Sequence, residues 1–423
     1  MTQRQFLILS AGLVLFAFAV REWHILASVL PNPTQGDISS YLNYALNMAW
    51  EGVFTKAGNG EPIVPDAYRS PGYPIFLLGV YKLTGLDGWY PAVYQAQAVV
   101  GTLTVGGVIL LARQWLSYHW ALVAGGLLAV WPHHIVATNA MLIEIVFGFM
   151  IVAALLLAAE GLSRRSMGWS MSAGVAFGCG YLINPVMAFF PLALLIVFWR
   201  NRESRLGIVV LLISLIVVFG WGARNSFQDA QGDDRAWQNL VQGSWPEFHH
   251  VETRWSSIGE ESAALDEINS EIDTILVSHE AGLQRIAARL GEDPGRYAQW
   301  YLMHKPYLLW DWDIRIGRGG IYTVETLNSP VERGRFRYAT RLLEVLNPIL
   351  FFLAIGFALI GWKQGGPASM AVLFFVYVTA VHTVFQAEPR YAVAYRPVEM
   401  LLIASALARM WAFFCAFRRD VRN

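Results

Sequence analysis

The chain has 423 residues, of which 55% are hydrophobic and only 15% charged, with a mean hydropathy of +0.41. A soluble globular domain carries about 25% charged residues, so this composition excludes that class and fits a polytopic membrane protein. The 31 Lys and Arg balance 31 Asp and Glu, so no net field argues for nucleic acid or an acidic partner.

Phe6 to Val20, extended by Trp23 to Leu30, is long enough to span a bilayer and has no small-residue cleavage site after it. It reads as a retained first helix and not as a signal peptide. A polar stretch follows, from Gly36-Asp37-Ile38 to Tyr68-Arg69-Ser70-Pro71-Gly72-Tyr73-Pro74. Within it, Ile38, Tyr41, Leu42, Ala45, Leu46 and Ala49 fall on one helical stripe, which predicts a helix lying in the membrane surface. Further apolar segments cover roughly 90–112, 118–132, 136–160, 168–183, 186–199, 204–222, 343–362, 368–386 and 394–415. The expectation is an all-α integral membrane protein with about ten spans. Cys179 and Cys415 lie inside apolar runs, in no metal or redox spacing, and read as packing residues.

With the N-terminus in the cytoplasm, Arg113, Arg164, Arg165, Arg200, Arg202, Arg205, Lys363, Arg418, Arg419 and Arg422 all fall on cytoplasmic connections. That alternation obeys the positive-inside rule and turns the first loop and residues 223–341 outward. The expected divisions are 1–222, holding the first outer loop 31–74; an outer helical cap at 223–341; and C-terminal spans at 342–423. Ser262 to Leu290 has helical spacing, and Tyr297 to Trp312 is aromatic-rich and interrupted by Pro306. The Trp and Tyr side chains of this cap are expected at the membrane interface. No repeat indicates the inverted halves common in transporters.

Two readings stay open for Asp37. At the expected N-cap it satisfies free amides of the first helical turn; at a lipid–water boundary it can also serve as a general base. Arg69, with its backbone fixed by Pro71 and Pro74, can pair with a phosphate or meet lipid headgroups. Gly72 permits a close approach there. Glu144 lies in the apolar run Ala140 to Val146, and an ionisable residue in a span is costly enough to suggest function. His133-His134 and His249-His250 are weak metal candidates, since adjacent histidines point apart and no other ligand spacing accompanies them. Trp221-Gly222-Ala223-Arg224-Asn225, Glu388-Pro389-Arg390-Tyr391 and Arg396-Pro397 mark the ends of the outer region. They can anchor helices, or bring cations to Arg69 around an anionic headgroup.

Together these motifs resemble the GT-C superfamily of membrane glycosyltransferases, in the branch of protein O-mannosyltransferases and lipid A aminoarabinose transferases. The resemblance rests on Asp37 with Tyr41, on Arg69 to Pro74, on Glu144, on Trp221 to Asn225 and on Pro389 to Tyr391. It implies a helical fold with a catalytic outer loop and a polyprenyl-phosphate sugar donor. It also implies a glycan, lipid or protein acceptor at the outer face of a bacterial inner membrane. No cofactor is expected to be required, with a divalent metal as the alternative. Asp37 would be the base, with Glu144 a second catalytic acid. Arg69, Tyr41, Tyr73, Arg224, Asn225, Arg390 and Tyr391 would bind the donor phosphate or substrate. Ile38 follows Asp37 where relatives have a second acid, so a paired-carboxylate or metal role does not carry over. The competing classes are a transporter or flippase for a polyprenyl-linked lipid, which would need functional charges open to both sides, and an oligosaccharide ligase.

Overall fold

A computed structural model describes residues 1–230, 232, 234–253, 260–314 and 320–420. The side chain of Arg419 and all of Arg422 lie outside the described residues. The described chain is helical, with a lone antiparallel bridge pairing Val29 with Leu327. Among the described residues seven helices are long and apolar enough to cross a membrane: Gln3–Ala27, Trp89–Ala112, Glu144–Arg164, Ser204–Phe227, Phe336–Gln364, Gly366–Val384 and Arg396–Arg418. An eighth span exists if Tyr118–Val130 and Pro132–Asn139, which meet at a bend of 58°, count as one.

This count falls short of about ten for a physical reason. The apolar segments 168–183 and 186–199 form the helices Met167–Ile183 and Phe190–Arg200, parted at Asn184-Pro185. Their 17 and 11 residues rise only about 26 and 17 Å at 1.5 Å per residue, against a hydrocarbon layer of about 30 Å. The run 136–160 is broken too. Trp131-Pro132 turns the chain, a short 3-10 segment follows at Ala137–Asn139, and the long helix begins only at Glu144. Glu144 is therefore not inside a continuous helix as the apolar run suggests; it opens one.

The bundle's outer face is apolar, with Leu7, Ile8, Leu15, Leu212, Ile216 and Phe219 all exposed. In water such a surface would aggregate; in lipid it is solvated. At one end of the bundle Arg165 pairs with Glu203 at 2.8 Å and Arg200 donates to the Trp362 carbonyl at 3.0 Å. Three of the connections grouped by their positive charge thus meet there.

At the other end lie the loop after the first helix and the cap. The helix Asp37–Trp50 buries Ile38, Tyr41, Leu42 and Ala45 against protein, and its main packing partner is Gly72–Thr84. The cap has a core of its own, built from Val241, Phe248, Ile268, Ile275 and Ile286. Its expected single helix is two, Glu260–Val277 and His279–Glu292, parted at Ser278, whose hydroxyl accepts from the Ala281 amide. Its aromatic segment faces mostly inward, with Tyr307 left exposed. Tyr297, Trp300, Trp310 and Trp312 are buried in protein, with Trp310 packed on Phe351 and Phe375 and donating to Thr379 at 3.1 Å. The Trp310 indole finds its partner in the bundle, while Trp300 donates to the Gly243 carbonyl and the Tyr297 hydroxyl accepts from Arg289 within the cap, so these polar groups are satisfied on burial. Gly243 is a tight seat: a Cβ there would lie 2.4 Å from the Phe385 carbonyl oxygen. Only glycine lets the end of helix Arg235–Ser244 press onto the backbone that leads to Arg390.

Candidate active site

The first loop is shaped around two acids. Gly36 precedes the helix Asp37–Trp50 with a φ of +64°, a conformation that favours glycine. Gly36 occupies the N-cap, so Asp37 is the first residue inside the helix, one place later than its sequence position suggested. Its carboxylate makes no capping bond and points across the loop. Asp66 organises the other side. Its oxygens accept from the Tyr44 hydroxyl, the Lys56 amide at 2.7 Å and the Tyr68 amide at 3.0 Å. That clip folds the returning chain so that Arg69, three residues on, faces Asp37.

Arg69 is buried and donates from Nη2 to Asp37 Oδ1 at 2.5 Å. Its guanidinium lies 4.9 Å from the Tyr41 ring centre and 5.4 Å from that of Tyr68. Two residues later, a Cβ on Gly72 would come within 2.7 Å of Ile183 Cγ1 and 2.8 Å of the Leu182 carbonyl oxygen. The glycine therefore lets the Gly72–Thr84 helix start against the end of Met167–Ile183, which fixes the segment carrying Arg69.

The second oxygen of Asp37 accepts from Arg390 Nη2 at 3.0 Å, a contact between residues 353 positions apart. Arg390 also brings its Nε to 3.4 Å from Glu144 and 3.9 Å from Glu388. Arg69, Asp37, Arg390 and Glu144 form one chain of alternating charge. Burial works to raise the Asp37 pKa, but the charges of Arg390 and Arg69 outweigh it and hold the carboxyl well below its usual range. Asp37 is nevertheless about 29% exposed, so the cluster is open at its acid. The buried Nε atoms of both Arg69 and Arg390 have no hydrogen-bond partner. These guanidiniums are held in place without being saturated.

Two tyrosines line the cluster. Tyr41 and Tyr73 meet edge to face at 5.2 Å, and Tyr73 donates to Gln97 Oε1 at 2.9 Å. Gln97, on the helix Trp89–Ala112, donates in turn to the carbonyls of Thr138 and Ala140 at 2.9 Å each. The broken segment before Glu144 thereby supports the floor of the site. Tyr391 stands beside the cluster, donates to Gln386 Oε1 at 3.3 Å and stacks on His382.

Other candidates lie elsewhere. Arg224 donates to the Asp66 carbonyl and to Asn225 Oδ1 at 3.0 Å each, and packs on Phe54 and Trp221. Arg224 and Asn225 thus brace the loop from behind, with no contact to Asp37. Arg396 does not join Arg69 either. It donates to Asn347 and Glu399 and to the carbonyls of Trp310 and Asp311, tying the end of the cap to two spans. His133 bonds to the Trp312 carbonyl at 2.7 Å, His134 to Arg21 at 2.7 Å, and His249 to the Ala387 carbonyl at 2.9 Å. Among the described residues no three His, Cys, Asp or Glu side chains gather in a metal-holding group.

Sequence reasoning passed over Gln97, Arg21 and Arg235. A buried Gln or Arg inside an otherwise apolar helix is itself a signal, because such a group needs a partner. Arg235 sits in a polar segment and carries no comparable mark.

The sequence model of the dolichyl-phosphate-mannose-protein mannosyltransferase family matches residues 68–221, which include Arg69 and Glu144. No curated protein matches the chain by sequence. Among solved structures, the oligosaccharyltransferase AglB of Archaeoglobus fulgidus, in complex with an inhibitory peptide and a dolichol-phosphate, superposes with a TM-score of 0.54 at 16% identity, covering 98% of this chain and 51% of its own. ArnT of Cupriavidus metallidurans in the apo state gives 0.52 at 16% identity, covering 97% of this chain and 62% of its own. This chain therefore spans between half and two thirds of the length of these structures. Its similarity to them extends over nearly all of its helices, and with the family match inside the N-terminal half it identifies the architecture: the chain has the fold of GT-C membrane glycosyltransferases.

Proposed function

We propose that the chain is a membrane glycosyltransferase that moves a sugar from a polyprenyl-phosphate donor to a glycan, lipid or protein acceptor, with inversion at the anomeric carbon. The observation that carries this reading is Asp37, held ionised between Arg69 and Arg390 at the open face of a buried charge chain. The family match and the fold support the donor class. The dolichol-phosphate bound by AglB is the kind of lipid this reading requires.

In the reaction the acceptor hydroxyl or amine attacks the anomeric carbon as its proton passes to Asp37, and the bond from that carbon to the phosphate oxygen breaks. A single displacement needs one base and no covalent sugar intermediate. Asp37 clamped by two guanidiniums is a weak base, because each cation stabilises its ionised form. As negative charge grows on the departing phosphate, Arg69 and Arg390 gain a stronger partner and loosen their hold on Asp37. Its basicity rises at the moment it is needed, and the same cations stabilise the leaving group. Glu144 and Glu388 keep Arg390 from leaving the site altogether.

Both oxygens of Asp37 are occupied by guanidiniums, which do the neutralising that a divalent cation would do, so transfer proceeds without metal. The site faces outward across a bacterial inner membrane, with both termini cytoplasmic, in keeping with the charge of the connections. A transporter would need the Asp37 cluster to open to both sides, whereas the charge chain ends on Glu144 at the start of a packed span. The test is Asp37→Asn, assayed for transfer from a panel of polyprenyl-phosphate sugars and for thermal unfolding. Lost transfer in a folded protein is the expected result; full transfer removes Asp37 from the mechanism.

A further inference from the structure

The charges of the Asp37 cluster cancel. Asp37 and Glu144 offset Arg69 and Arg390, and Glu388 adds a further negative charge nearby. A donor phosphate arriving at this cluster meets no net positive charge. The loop and the cap nevertheless each bring a cation without a carboxylate partner among the described residues, and the two converge on one ring.

Lys56 Nζ lies 4.2 Å from the centre of the Tyr68 ring, and the Arg235 guanidinium lies 5.3 Å from it. Among the described residues neither Lys56 nor Arg235 has a carboxylate partner. Asp66, the acid of this segment, spends its oxygens on Tyr44 and on the amides of Lys56 and Tyr68. The ring they share is also 5.4 Å from the guanidinium of Arg69, so the free cations stand one residue from the catalytic cluster. Arg235 is close enough for its charge to act on the phenols of both Tyr41 and Tyr391. It opens the helix Arg235–Ser244, and Gly232 three residues earlier would place a Cβ 3.7 Å from the Tyr68 Cβ, so the chain entering the cap passes close to the Tyr68 backbone.

We infer that Lys56 and Arg235, spread over the Tyr68 ring, form a cationic seat that holds the phosphate of the lipid donor before reaction. This rests on the glycosyltransferase reading and divides its work. The seat binds the ground state, while Arg69 and Arg390 act on the charge that develops as the phosphate leaves. Two cations drawn from different segments, one in the loop and one in the cap, make the seat complete only when the cap lies over the loop. The aromatic face orients both cations and keeps them unpaired in the empty site.

The experiment is direct binding to the purified full-length chain in neutral-lipid nanodiscs, with undecaprenyl phosphate and undecaprenol as probes. Wild type binds the phosphate form more tightly than the alcohol. Lys56→Ala with Arg235→Ala weakens undecaprenyl phosphate by about tenfold or more, as the loss of charge-assisted contacts requires, and leaves undecaprenol unchanged. Tyr68→Phe keeps the ring and keeps binding, whereas Tyr68→Ala loses it, which separates the seat from a folding defect. Unchanged phosphate binding in the double variant overturns the seat while leaving the transferase reading intact. Wild type that does not distinguish phosphate from alcohol overturns the transferase reading itself. Equal displacement of the probe by phosphatidylglycerol or inorganic phosphate overturns the assignment to the donor.

Discussion

Arg390 and Arg396 stand six residues apart on the same stretch of chain, and the contrast between them separates a cation with bonding capacity to spare from one whose capacity is spent. Arg396 is about 1% exposed, as is almost none of its partner Glu399, at 2.7 Å. Its two terminal nitrogens reach four fixed acceptors, on Asn347, Glu399, Trp310 and Asp311, and its plane lies between Trp131 and Trp310. Nothing is left for a ligand. Arg390 makes one hydrogen bond, to Asp37, meets Glu144 and Glu388 only at 3.4 and 3.9 Å, and keeps a buried Nε without a hydrogen-bond partner. It is held by charge more than by geometry, and so can change partners.

The sharpest test of this contrast is Asp37→Asn. Turnover should fall on the order of 10^3-fold, within the range for loss of a general base, while the unfolding temperature stays near wild type. An unfolded variant would put Asp37 on the structural side with Arg396. Next is Arg396→Leu, which should cost about 3–5 kcal/mol by leaving Glu399 buried without its cation. The double replacement Arg396→Leu with Glu399→Leu should recover much of that loss. Denaturant titration in detergent checks both, and a loss of transfer without a loss of stability would break the comparison. Arg390→Lys should follow, keeping the charge and the fold but lowering turnover roughly 10- to 100-fold, because a single ammonium cannot hold Asp37 and a phosphate in the same plane.

Acid gives a smaller effect with a defined sign. The folded Asp37 titrates well below its ordinary 3.8, so its clamp adds stability that is fully present above that value. That stability is lost as pH falls through the folded value. Between pH 6 and pH 3 the wild type should therefore lose stability more steeply than an Arg69→Gln variant, in which Asp37 returns toward its ordinary range and titrates alike folded and unfolded. The smallest effect is expected from chelation: excess EDTA should leave transfer unchanged. A loss restored by a divalent cation would overturn the reading that two guanidiniums do that work.

The ionisable members of the site were legible in the sequence because Asp37, Arg69, Glu144 and Arg390 stand beside apolar runs, where charge is expensive. Their pairing was not, since Asp37 and Arg390 are joined across 353 positions and no local pattern links them. The helical stripe from Ile38 to Ala49 was legible from periodicity, while its burial against Gly72–Thr84 depended on tertiary contact. Arg224 shows the opposite limit. Its motif marked a functional end, but the loop carbonyls of Asp66 and Phe54 claim its guanidinium. The break before Glu144 was hidden because Ala140 to Val146 is as apolar as the helix it enters, and the turn is made upstream at Trp131-Pro132.

Gly243 has a bearing on how the molecule can vary. The Gly243 backbone is seated on Phe385 of the bundle, and its carbonyl accepts from Trp300 and Lys305 of the cap itself at 3.0 and 2.9 Å. Lys305 also reaches the Val384 carbonyl at 3.4 Å, so one ammonium joins cap and bundle beside the seat. A methyl group at position 243 would pry the cap from the segment bearing Arg390. That seat is one of several between cap and bundle, and it is the one on the stretch of backbone that leads to Arg390.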